Sequence, residues 1–418
     1  MVNKMQEEKR NVILINASNA INEEAIQETI ELIQACDMNL LTVWQQRIKE
    51  VNHLSFIGSG KVDEFAHQLD EYDVDLIIFQ QSLSPLQANY LSEAWNIDVI
   101  DRSELIIEIF EKRSHTQEAK LQVRKAKAEK QYSRLIGKTK SLGRQGGGKN
   151  KGRGEKQLEL NRRLIKQHIH ECERQIQALK KQHTLQYRRR SKQRIPVVAF
   201  VGYTNAGKST LINALLSQSS QPMRKHVYAK DQLFATLDTS MRRISLPYAP
   251  DILIVDTVGF VSDLPHELID AFHATLDEVR HADLLLHVIN QHSAMRHIQT
   301  EATLSTLKTL NAQDIPRIDV YNKCDLSDIT YPKNKDDALY ISAKDHDSIM
   351  LLKEMLAEAL YGKMEPVTFH IPHEVDYQLA AVMTHLKLKK QENHNSYIIL
   401  HGFMRKKLIS RYVNYVKF

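Results

Sequence analysis

The segment Gly202-Tyr203-Thr204-Asn205-Ala206-Gly207-Lys208-Ser209 constrains this chain most tightly. The apolar run VVAFV before it reads as a buried strand, and Thr210 with the following LINALL reads as the continuation of a helix. G-x4-G-K-S between a strand and a helix is a phosphate loop, and it requires an α/β fold around it. The backbone N–H groups of such a loop converge on phosphate oxygens, and the helix N-terminus adds a favourable dipole. Lys208 is placed to bridge the β- and γ-phosphates, and Ser209 to ligate Mg2+.

Three further segments follow in order. Asp256-Thr257-Val258-Gly259 closes the apolar run ILIV, with Asp256 expected to reach the Mg2+ shell through water and the Gly259 N–H expected to bond the γ-phosphate. Between the two motifs, Phe234-Ala235-Thr236-Leu237-Asp238 offers the Thr236 hydroxyl as a second Mg2+ ligand. Asn322-Lys323-Cys324-Asp325 follows the strand-like RIDVY. A carboxylate at Asp325 accepts from guanine N1–H and the 2-amino group, a donor pair that adenine lacks. Ser342-Ala343-Lys344 is expected to close over the base. These elements specify GTP and GDP as ligands, with ATP as the minor alternative, and Lys208, Thr236 and Gly259 as the groups nearest the reacting phosphate.

The residue after Gly259 is Phe260, where many switch GTPases carry a Gln that orients the attacking water. A phenyl ring cannot do this, so basal hydrolysis is expected to be slow, with water positioned by an external surface or a bound cation. Asn205 is a candidate for holding such a monovalent cation, K+.

The remainder of the chain is organised around this centre. Over 11–103, the runs NVILI, LLTVW, DLIIF and DVIDR read as strands, and 22–36, 61–71 and 85–95 as helices, which argues for a parallel sheet with covering helices. GSGK at 58–61 lacks the first glycine of a phosphate loop and reads as a turn opening a helix. From Glu104 the spacing predicts long helices. Leu158, Ile165, Ile169, Cys172, Ile176 and Leu179 mark a coiled-coil seam. Two arms of roughly 30 residues would form an antiparallel hairpin about 45 Å long. From about Pro366, VTFHIP, a helix over 377–390 and SYIILHGF predict a small α+β module.

Charge separates the hairpin from the rest. Between Lys112 and Arg194 there are 26 Lys and Arg against 6 Asp and Glu, while the rest of the chain carries 31 bases and 45 acids. Dense positive charge on an otherwise acidic chain favours a polyphosphate partner. The loop Gly143–Gly154 concentrates six of the 14 glycines with Arg144, Lys149, Lys151 and Arg153 and no acid, a composition suited to contacting RNA. Cys36, Cys172 and Cys324 are widely separated, which argues against a disulfide framework or zinc site. Neither a membrane-spanning apolar run nor a secretory signal is evident, so a cytoplasmic location is expected.

With these segments in view, the chain resembles the HflX family of translation-associated GTPases over nearly its whole length. The resemblance is carried by GYTNAGKSTL (202–211), DQLFATLD (231–238), DTVGFVSDLPHELIDAF (256–272), ATLDEVRHADLLLHV (274–288), LSPLQANYL (83–91), VIDRSELIIEIF (99–110) and SLGRQGGG (141–148). It implies an N-terminal parallel α/β domain (1–103), a basic helical hairpin (104–194) with its glycine-rich tip at 143–154, a phosphate-loop G domain (195–362) and a small C-terminal α+β domain (363–418). It also implies GTP-dependent binding to the large ribosomal subunit near the peptidyl-transferase centre and splitting of stalled or idle 70S ribosomes. Nothing in the sequence demands more than a monomer, and neither a DNA nor a membrane partner is expected. The alternative is a GTP-regulated protein that binds or remodels ribosomal RNA without separating subunits. Two segments depart from the family pattern. KNKGRGEKQLE (149–159) replaces a Gly-Thr-Arg-Gly-Pro-Gly-Glu-Thr-like segment, and Gln80-Gln81-Ser82 replaces a usually acidic stretch. Such changes fit a divergent paralogue of the antibiotic-resistance type.

Overall fold

A computed structural model describes residues 9–20, 22–114, 116–142, 151–190, 195–217, 240–257, 259, 279–335 and 338–416. These fall into two compact units, 9–186 and 187–416.

The first unit begins with β1 (Asn11–Ser18), α1 (Glu23–Ala35), β2 (Asn39–Arg47), α2 (Ser59–Leu69), β3 (Leu76–Phe79), α3 (Pro85–Trp95), β4 (Asp98–Asp101) and α4 (Arg102–Arg113). The strands form one parallel sheet in the order β2-β1-β3-β4. A sheet covered on both faces needs strands apolar throughout, and β1 and β3 are buried along nearly their whole lengths. Local chemistry sets the helix starts. Asn22 accepts from the Ala25 N–H at the head of α1, and Ser84 and Gln87 form a reciprocal capping box with Pro85 at the first turn of α3. Gly58 caps α2, so GSGK opens a helix there. At the carboxyl ends of β1, β3 and β4 lies a cleft of about 310 Å³, lined in part by Asn16, Gln80, Gln81, Ser82 and Arg102.

The helical hairpin is α5 (Gln117–Leu142) and α6 (Lys151–Arg190). Lys125 lies 3.4 Å from Glu173, and the Lys166 ammonium sits 5.3 Å above the Tyr132 ring. One arm therefore advances as the other recedes, which is the antiparallel register. The expected seam faces inward, with Cys172 buried and Leu158, Ile165, Ile169, Ile176 and Leu179 half-buried. Rise per residue makes α5 about 39 Å and α6 about 60 Å long. The break between α4 and α5 corrects the expectation of one helical stretch from Glu104. Ile107 and Phe110 are buried on α4, which packs against α1 and the sheet, so the α/β layer continues to Arg113. Ser114 leaves helical geometry after α4, and the Thr116 hydroxyl accepts from the Ala119 N–H at 3.2 Å at the head of α5, so a capping break and the burial of the α4 face together separate the two helices. Lys151 and Arg153 lie on the first turn of α6, while Arg144 and Lys149 fall outside the described residues.

α5 docks on α3 and α4 through polar contacts that complete one another. The Arg134 guanidinium pairs with Glu104 and donates to the Val99 carbonyl at 2.6 Å, and Asn89 donates to the Arg134 carbonyl at 2.9 Å. Burial raises the Glu104 pKa above its usual value, against the opposing pull of Arg134.

The second unit contains β5 (Val197–Val201), α7 (Lys208–Ser217), β6 (Ser240–Ile244), β7 (Ile252–Asp256), β8 (Leu284–Asn290), α8 (Arg296–Thr309), β9 (Arg317–Asn322), β10 (Lys333–Lys335), β11 (Ala338–Tyr340) and α9 (His346–Tyr361). Its seven-stranded sheet runs β10-β11-β9-β8-β5-β7-β6, parallel except for the two edge strands. β5 is central, so the loop that follows it emerges from the middle of the carboxyl edge, where ligands bind in open α/β sheets. The core behind it includes Val198, Phe200, Leu211, Ile254, Leu286 and Leu352.

The chain continues into β12 (Met364–Pro372), α10 (Asp376–His385), β13 (Lys387–Asn393) and β14 (Tyr397–Arg405), an antiparallel sheet of order β12-β14-β13 with α10 on one face. The helix expected over 377–390 ends at His385. KLKKQEN is locally compatible with a helix, but it pairs with β14 as an edge strand. Lys387 joins this module to the G domain, its ammonium 2.8 Å from Asp251 and 3.0 Å from the Ser245 hydroxyl. Among the described residues, no helix is long and apolar enough to cross a membrane.

The docking of α5 is open to test. Replacing Arg134 with Ala leaves the Glu104 carboxylate buried beside Asp101 without its partner, which should cost about 2–4 kcal/mol locally. Hydrogen–deuterium exchange should show faster opening of α5. Adding Glu104→Gln to the Arg134→Ala variant should restore most of the protection, and equal loss in both variants would refute the buried-charge argument.

Candidate nucleotide-binding site

The phosphate loop is a built cradle in this structure. Asn205 adopts φ +59°, and Gly207 adopts φ +92° with the Asn322 amide so close that a Cβ there would lie 2.3 Å from its Nδ2. Only glycine fits that position. Ser209 and Thr210 lie in the first turn of α7, so the helix N-terminus faces the cradle. The Lys208 ammonium is buried and donates to the Gly202 carbonyl at 2.8 Å and the Tyr203 carbonyl at 2.9 Å. Burial lowers its pKa to about 8, with the charge of Asp256 acting in the opposite direction.

Asp256 ends β7, adjacent to β5 in the sheet, and is 1% exposed. Thr257 is buried and its hydroxyl donates to the Phe200 carbonyl, fixing the chain as it leaves the strand. Gly259 comes up against the cradle: a Cβ there would meet Thr204 Cγ2 at 2.8 Å, Thr204 Cα at 2.9 Å and Lys208 Nζ at 3.0 Å. The contact with the Thr204 backbone leaves no room for a side chain at this position. Phe234, Ala235, Thr236, Leu237, Asp238, Val258 and Phe260 lie outside the described residues.

The 322–325 and 342–344 loops are tied to each other and to the phosphate loop behind these groups. Asn322 is 1% exposed; its Nδ2 donates to the Ala206 carbonyl at 3.0 Å, and its Oδ1 accepts from the Ala343 N–H at 3.0 Å. Lys323 has φ +63° and its ammonium donates to Asn205 Oδ1 at 3.0 Å. Cys324 is buried and turns its thiol to the Tyr321 carbonyl. Asp325 accepts from the Ser342 hydroxyl at 2.8 Å and lies 3.7 Å from the exposed Lys344 ammonium. The carboxylate is therefore oriented before any base arrives, which lowers the ordering cost of recognition.

The structure also adds residues that the motif reading did not single out. Ser348 accepts from the Ser342 N–H at 3.3 Å and donates to Asp345, whose carboxylate caps α9 through the Ser348 N–H. D-x-x-S before an apolar helix is a capping signal and would have located this tie. Thr204, by contrast, had no sequence signal for its contact with Gly259 beyond its place in the loop.

The donor set fits Mg2+. A serine at a helix start and a buried carboxylate at a strand end are hard oxygen donors, and Mg2+ in phosphate sites takes few protein ligands and keeps several waters. No cluster of three or more His, Cys, Asp or Glu side chains suited to a metal occurs among the described residues.

Three family descriptions match the chain: GTP-binding GTPase N-terminal over 23–111, GTP-binding GTPase Middle Region over 113–190, and 50S ribosome-binding GTPase over 197–323. The chain is 38% identical to the GTPase HflX of Caldanaerobacter subterraneus subsp. tengcongensis, over 88% of its own length and 85% of that protein. It is 35% identical to the GTPase HflX of Alkalihalophilus pseudofirmus, over 92% and 90%. It is 36% identical to the GTPase HflX of Escherichia coli, over 86% of each. A phosphate-loop site within a chain 35–38% identical to these GTPases over 86–92% of its length is that of a GTP hydrolase, and the chain belongs to the HflX family of GTPases.

Proposed function

We infer that the GTP form of this protein engages the large ribosomal subunit in the cytoplasm as a monomer and splits stalled or idle 70S ribosomes, with hydrolysis driving release. The observation supporting this most directly is the joining, in one chain, of a preset guanine-nucleotide site to a long basic hairpin. RNA phosphates are the natural counterpart of that charge. Arg144, Lys149, Lys151 and Arg153 at the hairpin tip are the proposed RNA contacts. The departure of 149–159, which includes Lys149, Lys151 and Arg153, from the family pattern supports recognition of an altered ribosome, including a drug-bound one.

In the nucleotide site we assign the 202–209 backbone to the phosphates, Lys208 to the β- and γ-phosphates, and the Gly259 N–H to the γ-phosphate. Ser209 and Thr236 are assigned as Mg2+ ligands, and Asp256 acts through water. Bound Mg2+ supplies neutralisation of the phosphate charge that builds during transfer. Asp325, backed by Ser342, reads guanine, while Asn322 and Lys323 hold the loops around it. Because Phe260 cannot orient water, the ribosome is assigned that role. The Asn205 carbonyl oxygen, the candidate K+ ligand, accepts from the Lys323 ammonium at 3.0 Å and keeps a second lone pair for a cation.

Nucleotide binding should report the Lys208 proton. Its folded pKa is lowered to about 8, and a bound phosphate stabilises the ammonium form, so affinity is steady below that pH and weakens above it. In titrations with fluorescent GDP, affinity should fall by up to about tenfold per pH unit above roughly pH 8. A profile that stays flat through that range would show that the Lys208 ammonium stays charged well above pH 8, and Lys208→Ala would then test its part in phosphate binding.

Asp325→Asn replaces an acceptor with an amide that opposes guanine N1–H. GTP affinity should fall roughly a hundredfold or more, with xanthosine triphosphate now preferred. Undiminished GTP preference would show that Asp325 does not read the base.

For the partner, GTP turnover should be measured alone, with 50S subunits and with unstructured RNA, and 70S particles should be followed on sucrose gradients. Stimulation by 50S alone, with conversion of 70S to 50S and 30S, is expected. Stimulation without conversion would favour the alternative, a GTP-regulated RNA-remodelling protein.

A further inference from the structure

One face of the C-terminal sheet packs on α10 and forms that module's core, with Val367, Phe369, Leu400 and Met404 pointing inward. Strand alternation sends the neighbouring residues to the other face. There, His401 lies between its partners Thr368 and Lys390, and Ile399 between His370 and Glu392. At the Phe403 end this face meets the G domain, through the Phe403–Tyr248 edge contact and the Lys387–Asp251 ion pair. The remainder carries a row of rings. His394 stacks on Tyr397 with centroids 4.9 Å apart, and Tyr397 stacks on His370 at 5.5 Å. The row ends at His394, whose side chain is 45% exposed, and His401 beside it is 38% exposed.

A soluble module ordinarily uses an outer sheet face for charged and short polar groups. Parallel, partly exposed rings in a row offer something more specific, an apolar π-face flanked by polar ring edges. This is the surface on which unpaired bases stack, as sheet-borne aromatics and histidines do in single-strand RNA recognition. Charge points the same way. The segment 363–418 carries nine Lys and Arg against four Asp and Glu, and Lys389 and Lys390 are exposed on the edge strand bordering the rings. Glu392, the acid on this face, is already engaged by Lys390 at 2.6 Å and lies near His394 and His401.

We propose that the open face of the C-terminal sheet, centred on His370, Tyr397 and His394 with Lys389 and Lys390 at its rim, binds unpaired RNA by continuing the ring stack with nucleobases. This RNA contact is separate from the basic hairpin and rests on the ribosome-binding reading for its partner's chemistry.

The test uses the full chain with short oligouridylate, irradiated to cross-link stacked bases and mapped by mass spectrometry. Affinity is measured in elevated salt, where phosphate contacts through the hairpin weaken most. Cross-links should fall on Tyr397 or its ring neighbours. Tyr397→Ala should abolish them and weaken high-salt binding about tenfold, with basal GTP turnover unchanged. Tyr397→Phe keeps the ring and should bind as the natural chain does, separating loss of stacking from loss of folding. Cross-links confined to 104–194, with Tyr397→Ala without effect, would overturn the proposal while leaving the hairpin reading intact. So would loss of 50S binding in Tyr397→Ala without any oligouridylate cross-link on this face, which would mark it as a protein-docking surface.

Discussion

The Asn322 side chain holds the nucleotide site together. It is buried at the end of β9, and its amide satisfies the Ala206 carbonyl on one side and the Ala343 N–H on the other. Three loops from three parts of the chain thus share one side chain. A buried amide with both ends paired is geometrically demanding, because losing either partner strands a polar group away from water. The demand propagates outward. Gly207 has no room for a Cβ because Asn322 occupies that space, and Lys323, next in sequence, reaches across to Asn205. The phosphate loop and the 322–325 loop are in this sense one structure.

Electrostatics sharpen the site. Lys208 is held in a buried pocket of backbone carbonyls with Asp256 as its charged neighbour, and burial lowers its pKa despite that neighbour. A lysine so desolvated gains more from an arriving phosphate than a solvated one does, since its hydration has already been lost. Gly259 brings the third side of the cradle within contact distance of the same ammonium. The site is therefore tuned toward anionic ligand before any ligand is considered.

The hairpin and the C-terminal module follow a different logic, in which polar contacts fix position and basic surface remains for partners. Arg134 is used inward, on Glu104 and Val99, although it belongs to the most basic segment of the chain. Lys387 likewise spends its charge on Asp251, whose carboxyl is pushed up by burial yet held below its usual pKa by Lys387 and Ser245. Counting bases in a segment does not distinguish those that anchor the fold from those left for nucleic acid.

The sequence by itself determined the G domain and its ligand. Gly202–Ser209, Asp256–Gly259, Asn322–Asp325 and Ser342–Lys344 are local patterns whose chemistry is fixed by spacing along one strand or loop, so they were legible without a fold. The parallel N-terminal sheet was legible for a similar reason, because β1 and β3 are apolar along most of their length. Tertiary structure alone decided that α4 belongs to the α/β layer, since an amphipathic pattern does not say which body a helix packs on, although the break after it carries a local signal in the Thr116 cap of α5. It also decided that KLKKQEN is a strand, because lysine-rich sequence takes its conformation from the neighbour it pairs with. Finally, it brought His370, Tyr397 and His394 into one row. Residues up to 27 positions apart become neighbours only when antiparallel pairing sets their register, and no local preference encodes that.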